Sequence, residues 1–332
     1  MTAVRRQYVR LEGFDQVADA DAAEAWDIDF RLLGNGNGAG VIEAIATARA
    51  VVQRNRFGWS LHQRGAAPGG FRTFGVGANR NQCFPWNGHA VEDDWLLSFP
   101  MDGTFESVSG DNFHVYTLSF DEELIQDTAQ ALGLPPPGEL LPASGASRPS
   151  PESVRGIRSA VRHIVRASRE VQVLSSDEQF GLARVIEWNL LGRILNAFAD
   201  GQPAKRPRAR LRDLALQRST AFIEQAEGRA VTVRELCEVS GASWRTLDYA
   251  FKERYGISPK AYLRTRRLNS VRRDLRAVGP GGDTVRNVAG RWGFWHMSQF
   301  ARDYHKLFGE LPSQTLGRQS ALRSSTGVQE AV

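Results

Sequence analysis

Apolar residues recur at four-residue intervals in two stretches of the C-terminal third of the chain. One stretch carries Leu247, Phe251 and Tyr255, and the other carries an equivalent set 53 residues further on, namely Phe300, Tyr304 and Phe308. At this interval the side chains of each set lie on one face of a helix. A shorter amphipathic pattern and a glycine precede both stretches, so the chain repeats the order helix, turn, helix.

The ends of the repeated helices are marked by capping and turn residues. Thr232 is followed three residues later by Glu235, which is the spacing of a capping box at the start of a helix. Gly256 and Gly309 predict the ends of the two longer helices, and the proline that follows each after two residues opens a further helix. The pattern predicts two helix-turn-helix units, although a single helical hairpin of this kind is more often plain core.

A single long helix is predicted between the two units, from Ser258 to about Ala277. It carries seven Lys and Arg residues against one acid, Asp274. At about 1.5 Å per residue it would span about 27 Å, close to the roughly 34 Å between successive major-groove segments on one face of a duplex. We therefore expect it to set two recognition helices into neighbouring grooves, with Arg266 and Arg267 contacting phosphates.

Charge separates the two halves of this chain of 332 residues, whose net charge is +5. From Lys205 onward there are 24 Lys and Arg residues against 12 Asp and Glu residues, whereas the preceding part carries 18 against 25. Only the second half suits a polyanionic partner, and phosphate contacts would make its binding strongly salt-dependent. A chain of this length with 42% apolar residues is expected to build two domains.

The buried apolar stripes predict which side chains of the second helices face a major groove. The predicted DNA-binding residues are Trp244, Arg245, Asp248, Tyr249 and Lys252 in the first unit, and Met297, Ser298, Gln299, Arg302 and Lys306 in the second. Arg245 and Arg302 are expected to contact guanine, since a guanidinium can donate two hydrogen bonds to O6 and N7. Trp244, Lys252 and Lys306 are expected nearer the phosphate backbone. The alternative for each arginine is a solvated or internally paired charge.

The residues from Leu211 to Leu316 resemble the DNA-binding domain of the AraC/XylS transcriptional regulators, in which a linker helix joins two helix-turn-helix units. Besides the spacing of the first unit, the resemblance is carried by Gly293, Phe294, Phe300, Arg302, Tyr304, Phe308, Gly309 and Pro312. Trp295 and His296 stand where the family usually has Ser-Ser, and Tyr249 stands where it often has Arg. These departures bear on the cap of the second recognition helix and on the target sequence.

The resemblance implies a DNA-binding transcriptional regulator with a small-molecule effector. It favours an activator that contacts RNA polymerase over a pure repressor. It also implies a cupin-like barrel in front of the DNA-binding domain and a homodimer formed through helices that follow the barrel. Such a protein would have no catalysis and no cofactor of its own. No signal peptide and no 18-residue apolar run are evident, and Cys83 and Cys237 fit neither a disulfide nor a metal site, so we expect a cytoplasmic bacterial protein that lies on the nucleoid when bound.

Alternating apolar and polar residues predict an antiparallel β region over 26–120, as in Ile28–Leu32 and Phe113–Phe120. Short strands at about ten-residue spacing favour a cupin-like barrel or jelly roll with flanking helices, which could enclose one small ligand. The candidate effector-binding residues are Trp59, Phe74, Trp86, Trp95, His89 and His114. Phe71, Phe84 and Phe105 could also line a cavity, although such aromatic residues are more often ordinary core.

His89, Glu92 and His114 raise the alternative of a metal-dependent cupin enzyme fused to a DNA-binding domain. The spacing after His89 lacks the second histidine of a cupin metal motif, so we predict no metal site and interpret these histidines as hydrogen-bonded or surface residues. A third alternative is an architectural DNA-binding protein without a sensor. The acidic, aromatic-rich first half argues against it.

Two helices are predicted after the β region, at 152–170 and 176–198. The apolar stripe of the second is wider than one partner needs, which predicts that Ile186, Leu190 and Ile194 form a dimer seam. Packing within the core of the same subunit is the alternative. The predicted domains are 1–199 for sensing and dimerisation, 211–316 for DNA binding, a basic linker at 200–210 and a flexible tail at 317–332.

Overall fold

A computed structural model describes residues 4–18, 26–36, 38–79, 84–87, 89–92, 94–170, 174–203, 211–226, 229–279 and 282–317. The chain divides into two compact units. The first contains Met1–Phe30 and Gly38–Pro207, and the second contains Arg31–Asn37 and Arg208–Val332. The main division falls inside the linker predicted at 200–210.

The N-terminal unit is mainly β, as the alternating pattern predicted. Its strands are β1 (Arg5–Leu11), β2 (Asp27–Leu32), β3 (Gly40–Ala46), β4 (Ala50–Phe57), β5 (Leu61–Ala66), β6 (Phe71–Gly77), β7 (Phe84–Trp86), β8 (His89–Val91), β9 (Leu96–Ser98), β10 (Phe105–Ser109), β11 (Phe113–Asp121), β12 (Gly145–Arg148) and β13 (Gln202–Pro203). The larger sheet has the order β1-β3-β4-β11-β6-β9-β12-β13, and the smaller has the order β2-β5-β10-β7-β8.

Strand β11 lies at the centre of the larger sheet and shows how the alternation sorts side chains onto two faces. It pairs antiparallel with β4 and β6, so that Leu118 lies opposite Val52 on one side and Phe74 on the other. All three side chains are fully buried in the core between this sheet and the helices. Their neighbours Thr117 and Gln53 point to the opposite face, because successive residues of a strand alternate.

Helices cover one face of the larger sheet. The helices of this unit are α1 (Asp15–Ala18), α2 (Glu122–Ala131), α3 (Pro137–Leu140), α4 (Pro151–Ala167), which a 3₁₀ turn extends to Glu170, α5 (Ser176–Arg184) and α6 (Leu191–Asp200). Those that share the core with the sheet are α2, α4, α5 and α6. A π-helical turn, Val185–Leu190, joins α5 to α6. The helices predicted at 152–170 and 176–198 are therefore confirmed, the second with a change of helical period in its middle.

The linker and the tail predicted from the sequence fall mostly outside the described residues. Asp200 is still helical, and Gln202–Pro203 pairs with β12, which places Ser147 opposite Pro203. The first residues of the predicted linker thus belong to the sheet, because the backbone of a proline-containing edge strand can still accept hydrogen bonds. Residues 204–210 and 318–332 lie outside the described residues.

The second unit is helical and contains the two predicted helix-turn-helix hairpins. Its helices are α7 (Leu211–Gln225), α8 (Val233–Ser240), α9 (Trp244–Tyr255), α10 (Pro259–Ala277), α11 (Val285–Arg291) and α12 (Met297–Phe308), and residues 312–317 are also helical. The capping box of Thr232 and Glu235 is present at the start of α8. Gly241 and Gly256 adopt φ values of 67° and 72° after α8 and α9, a left-handed conformation that favours glycine.

Aromatic contacts hold α9 to the linker helix α10. The ring of Tyr262 on α10 lies 4.4 Å from the ring of Tyr255 and 5.3 Å from that of Phe251, between centroids. Tyr255 and Phe251 belong to the apolar stripe that the four-residue interval predicted, and both are buried. The stripe of the first recognition helix is therefore seated against α10.

A buried guanidinium holds α12 to the same helix. Arg272 of α10 is only 6% exposed; its guanidinium lies 4.5 Å from the ring centroid of Phe308 and forms an ion pair of 2.9 Å with Glu310. The hydroxyl of Thr315 donates to Glu310 at 2.6 Å and lies 2.8 Å from the hydroxyl of Tyr304. Burial raises the pKa of Tyr304 to about 12, so this phenol stays protonated and available as a donor.

We expect Arg272→Met to lower the free energy of unfolding of the second unit by about 3 to 5 kcal/mol, because it leaves the carboxylate of Glu310 buried without its cation. The matched control is Arg273→Met, one residue along α10, whose side chain is 71% exposed; its effect should stay within about 0.5 kcal/mol. Urea unfolding followed by circular dichroism measures both. Equal losses in the two variants would contradict the role given to Arg272.

Candidate nucleic-acid interface and ligand cavity

Helix α9 presents one polar face to solvent. Trp244, Arg245, Tyr249 and Lys252 are exposed, whereas the stripe that includes Leu247 is buried. The guanidinium of Arg245 lies 5.9 Å from the ring centroid of Tyr249. Arg245 therefore stands on the surface with a neighbouring ring that limits its rotamers, as the groove-facing prediction requires.

Asp248 and Lys252 form an ion pair of 2.8 Å one turn apart on α9. Asp248 is half-buried, and its oxygen is engaged by the lysine ammonium. As an i,i+4 pair whose lysine is exposed, it stabilises the helix by only about a few tenths of a kcal/mol. Both residues lie where the stripe predicted them, with the aspartate holding the lysine along the helix.

Helix α12 presents the equivalent face in the second unit. Ser298, Gln299, Arg302 and Lys306 are exposed and Met297 is half-buried. Arg302 donates to Oε1 of Gln299 at 3.0 Å, while Nε2 of Gln299 donates to Asp303 at 2.9 Å. These bonds hold the Arg302 guanidinium on the helix surface. At 3.6 residues per turn, Ser298, Gln299, Arg302 and Lys306 share one exposed face, whereas Met297 lies on the side of the buried Phe300 and Tyr304.

The starts of the two recognition helices differ. Ser243 accepts a hydrogen bond from the backbone N–H of Thr246 and caps α9, whereas His296 at the equivalent position of α12 makes no side-chain cap. Trp295, the residue before it, is 78% exposed. The departure from Ser-Ser noted in the sequence thus replaces a hydrogen-bonded cap with a large exposed ring.

The basic residues of α10 are mostly engaged within the helical unit, which corrects the expectation of a free phosphate-binding face. The side chain of Arg266 is 16% exposed and lies 3.7 Å from Glu224, and Arg264 lies 3.6 Å from Asp303. Arg267 packs over the ring of Phe294 at 5.0 Å, and burial lowers its pKa. The sequence did not show these partners, since they come from helices distant along the chain.

Two cations of α10 that the sequence analysis did not select are exposed. They are Lys260, in the first turn, and Arg273, near the last. Burial on the other faces of α10 is what identifies them, and the sequence alone ranks all seven cations equally. They are better placed for phosphate than Arg266 or Arg267.

A cavity lies between the two sheets of the N-terminal unit. Its walls contain eight aromatic residues, four aliphatic residues and five uncharged polar residues: Trp26, Phe30, Phe57, Phe84, Trp86, Phe99, Phe105, Phe113, Ile28, Ile42, Leu97, Val115, Gln53, Asn55, Gln63, Ser107 and Thr117. The space open to the centre of a water-sized sphere is about 60 Å³. One buried water needs about 10 to 15 Å³ of the volume that the whole sphere fills, which is larger than the space open to its centre, so the cavity has room for a molecule of several non-hydrogen atoms.

Most of the polar groups on the cavity wall formed by the larger sheet satisfy one another. Asn55 donates to the hydroxyl of Thr117 at 3.2 Å, and this hydroxyl donates to Oε1 of Gln53 at 3.1 Å. The indole of Trp26 donates to the same Gln53 oxygen at 2.9 Å. The chain of bonds fixes the orientation of the Gln53 amide at the cavity wall.

Most of the predicted effector-binding residues lie elsewhere, which corrects that prediction. Trp86 lines the cavity, as do Phe84 and Phe105, but Phe74 lies on the opposite face of the larger sheet among the helices. Trp59, Trp95 and His114 are not among the lining residues, and the side chain of His89 lies outside the described residues. Successive side chains of a strand point to opposite faces of the sheet, so the position of an aromatic residue in this alternation decides whether it enters the cavity. The alternation of apolar and polar residues around Thr117 could have indicated which positions face inward.

The structure does not bring the histidine and carboxylate candidates together. Nε2 of His114 accepts a hydrogen bond from Arg54 at 3.0 Å, and Glu92 lies 3.7 Å from Arg148 at the surface. Among the described residues no three His, Cys, Asp or Glu side chains form a metal-binding group. Cys237 is a free thiol, and Cys83 lies outside the described residues.

The residues predicted to form a dimer seam are buried in their own unit, and this assignment is therefore wrong. Ile186, Leu190 and Ile194 are fully buried in the core beneath the larger sheet. The exposed apolar side chains of the same helical segment are Phe180 and Trp188, at 55% and 42% exposure. The structure therefore has the alternative arrangement, in which this stripe packs within the core of its own subunit.

Comparison with known proteins places the similarity in the helical unit. Residues 236–318 match a protein family described as a helix-turn-helix domain. The chain is 35% identical over 102 residues to the XylDLEGF operon transcriptional activator of Pseudomonas putida, which covers 31% of this chain and 32% of that protein. It is 33% identical over 95 residues to a probable thc operon regulatory protein of Rhodococcus erythropolis, which covers 29% of each. The similarity spans about a third of the length of these curated relatives.

Solved structures of similar proteins include two described as AraC-type regulators. A probable AraC family transcriptional regulator from Rhodopseudomonas palustris CGA009 aligns at 34% identity and a TM-score of 0.30, over 32% of this chain and 97% of that one. The AraC-like transcriptional activator CuxR aligns at 13% identity and a TM-score of 0.43, over 86% of this chain and 99% of that one. None of the helices in the described part of the chain is long and apolar enough to cross a membrane.

Burial of His114, with the charges of Arg54 and Arg56 nearby, lowers its pKa from 6.5 to about 4. Between these values the unfolded chain binds a proton that the folded chain does not, so the stability of the N-terminal unit should fall as the pH drops from 6.5 to 4. His114→Gln should remove on the order of 2 kcal/mol of this pH dependence. The control is His163→Gln, an exposed histidine on α4. Urea unfolding at pH 7 and pH 4.5 tests it, and an unchanged slope in His114→Gln would be contrary to the expectation.

Proposed function

Because its C-terminal unit is an AraC/XylS-type helix-turn-helix domain, we propose that the whole chain is a sequence-specific transcriptional regulator that binds double-stranded DNA. The observation that carries this proposal is the pair of recognition helices, each with its apolar stripe buried and its polar face exposed. Arg245 and Arg302 stand one turn apart in the repeat, since Arg302 corresponds to Tyr249, and both would contact guanine from these faces. Lys260 and Arg273 would contact phosphates.

The length of α10 supports two contacts with one duplex. Its 19 residues span about 28 Å, of the same order as the about 34 Å that separates successive major-groove segments on one face of DNA. Each recognition helix is seated on α10, the first through Tyr262 and the second through Arg272. One chain would therefore read two neighbouring stretches of groove, as part of the bacterial nucleoid in the cytoplasm.

The cavity of the N-terminal unit supports a regulator that responds to a small molecule. Relatives that share the helical unit are described as transcriptional activators of an operon, and activation near a promoter, through contact with RNA polymerase, is the mode that we propose here. Catalysis is not part of the proposal, since His114 and Glu92 bind arginines rather than converging on one site. A stoichiometric metal in the purified protein would instead favour a cupin-type enzyme.

A homodimer is the assembly that we propose, through a surface different from the one the sequence suggested. Phe180 and Trp188 expose large apolar side chains on the α5–α6 segment. Leu132 is exposed as well and lies within van der Waals reach of Gly192, one turn beyond Trp188. A second copy of the same patch would cover these side chains through a two-fold contact.

We expect Arg245→Ala and Arg302→Ala to relax base preference at one or two operator positions each, by about 1 to 3 kcal/mol per position. Arg273→Ala should weaken binding about equally on all sequences, with a smaller salt dependence. The charge-matched control is Arg155→Ala, an exposed arginine of α4 in the N-terminal unit, which should leave binding unchanged. Binding to a randomised operator library measures these effects. If Arg245→Ala and Arg302→Ala lower affinity for specific and random DNA by one common factor, they do not contact bases.

Phe180→Glu and Trp188→Glu should convert the dimer to a folded monomer, because each places a carboxylate in the proposed apolar contact. Leu190→Glu is the contrasting variant; it buries a charge in the core of its own unit and should unfold that unit instead. Light scattering with size-exclusion chromatography gives the mass of each variant. A monomeric parent protein, or a dimer that survives both surface substitutions, would show that this patch is not the seam.

A further inference from the structure

The residues that line the cavity between the two sheets make it unfavourable for a charged ligand. None of the seventeen residues that line it in the described part of the chain is acidic or basic. Moving a carboxylate or an ammonium into such a site without a partner of opposite charge is strongly unfavourable.

The aromatic residues of the cavity are packed against one another edge to face. The ring of Phe99 lies 5.5 Å from that of Trp26, 5.5 Å from that of Trp86 and 4.9 Å from that of Phe105, with interplanar angles of 73° to 81°. Phe84 and Phe113 form a further edge-to-face pair at 4.9 Å. In this geometry the rings offer edges as well as faces to a ligand. Such a site suits another aromatic ring better than a cation, because a cation is bound by several ring faces around it.

One polar atom of the wall distinguishes the cavity from a purely apolar site. Trp86 is buried, and its indole Nε1 has no hydrogen-bond partner among the described residues. Ser107 lies directly opposite Trp86 in the β10–β7 pairing and also lines the cavity. A buried N–H without an acceptor is unfavourable, and a ligand oxygen that accepts its hydrogen bond would relieve this cost.

The other polar groups of the wall are less available as donors. Nδ2 of Asn55 and the hydroxyl of Thr117 are used in the chain of bonds that ends on Gln53, and Nε2 of Gln63 donates to Ser109 at 3.3 Å. The available hydrogen-bond donor is therefore Trp86 Nε1 on the smaller sheet, and aromatic side chains surround it. A ligand that fits must bring an acceptor to one end of an apolar body.

We propose that the cavity binds an uncharged molecule of about one aromatic ring that carries a single hydrogen-bond acceptor, which Trp86 Nε1 recognises. This inference rests on the proposed regulatory function and names the chemical class of its effector. The ketone or ether oxygen of such a molecule accepts from the indole, while its ring packs against the edges of Phe99 and Phe105. Acids and amines of the same size are excluded by the absence of charge from the lining residues.

Four probes of similar size test the proposal on the full-length protein: acetophenone, ethylbenzene, benzoate and benzylamine. Binding is measured by tryptophan fluorescence and by the shift of the melting temperature. Acetophenone should bind saturably, and ethylbenzene, which lacks the acceptor, should bind about three- to tenfold more weakly, the range expected for one hydrogen bond. Benzoate and benzylamine should bind at least a hundredfold more weakly than acetophenone or not at all. Equal or tighter binding of either ion would overturn the proposal.

Trp86→Phe keeps an aromatic side chain, although a smaller one, and removes the donor, so it should abolish the preference for acetophenone over ethylbenzene while both still bind. The matched control is Trp188→Phe, which changes an exposed tryptophan outside the cavity and should leave the preference intact. If Trp86→Phe does not fold, Ser107→Ala on the same wall serves as the second variant and should reduce the preference. A preference that persists in the folded variants would contradict the role of this wall.

DNA binding of the same preparations separates the two proposals. A protein that binds DNA but none of the four probes overturns the effector class and leaves the regulatory function standing. A protein that binds acetophenone but no DNA overturns the regulatory function and leaves the cavity chemistry standing.

Discussion

The helical unit depends on one buried cation. Arg272 lies between the linker helix and the second hairpin, with Phe308 on one side and Glu310 as its counterion. A buried ion pair of this kind adds little net stability over an apolar pair of the same shape, but it tolerates only one geometry. The contact of Arg272 with the apolar stripe of α12 therefore determines which face of that helix turns outward. The exposure of Arg302 and Gln299 is a consequence of a contact made on the other side of the helix.

The N-terminal unit depends on a different constraint, the alternation of side chains along strands. In β11 the even positions pack against helices and the odd positions face the cavity. A shift of one residue in register would exchange Leu118 for Thr117 and place a hydroxyl in the helical core. The antiparallel pairing with both β4 and β6 prevents such a shift, so the same hydrogen bonds that build the sheet also decide the chemistry of the cavity.

The sequence predicted what local periodicity and turn chemistry determine. The four-residue interval of Leu247, Phe251 and Tyr255 located a recognition helix, and Thr232 with Glu235 located the start of the hairpin. These features depend on residues a few positions apart, which is why a single sequence contains them. The absence of a cap at His296 also followed from the residue types alone.

Features that depend on distant partners could not be predicted in this way. The arginines of α10 look alike along the sequence, and only the fold shows that Arg266 meets Glu224 while Arg273 faces solvent. The dimer seam was misassigned because Ile186, Leu190 and Ile194 belong to a core shared with distant strands and helices, which the periodicity of one helix does not show. The effector candidates failed for a related reason: an aromatic residue in a strand belongs to one face or the other, and Phe74 belongs to the helical side.

The unequal starts of the two recognition helices give them unequal local stability. Ser243 satisfies a backbone N–H in the first turn of α9, and a cap of this kind is worth about 1 kcal/mol, whereas the first turn of α12 lacks it. Because a free-energy difference of about 1 kcal/mol corresponds to roughly a factor of five in local opening, amide protons in the first turn of α12 should exchange with solvent roughly fivefold faster than those in the first turn of α9. In the proposed complex the first hairpin would meet a duplex as a preformed surface. The first turn of α12, which lacks a side-chain cap, would adjust more readily to sequence changes on the side of the operator that it faces.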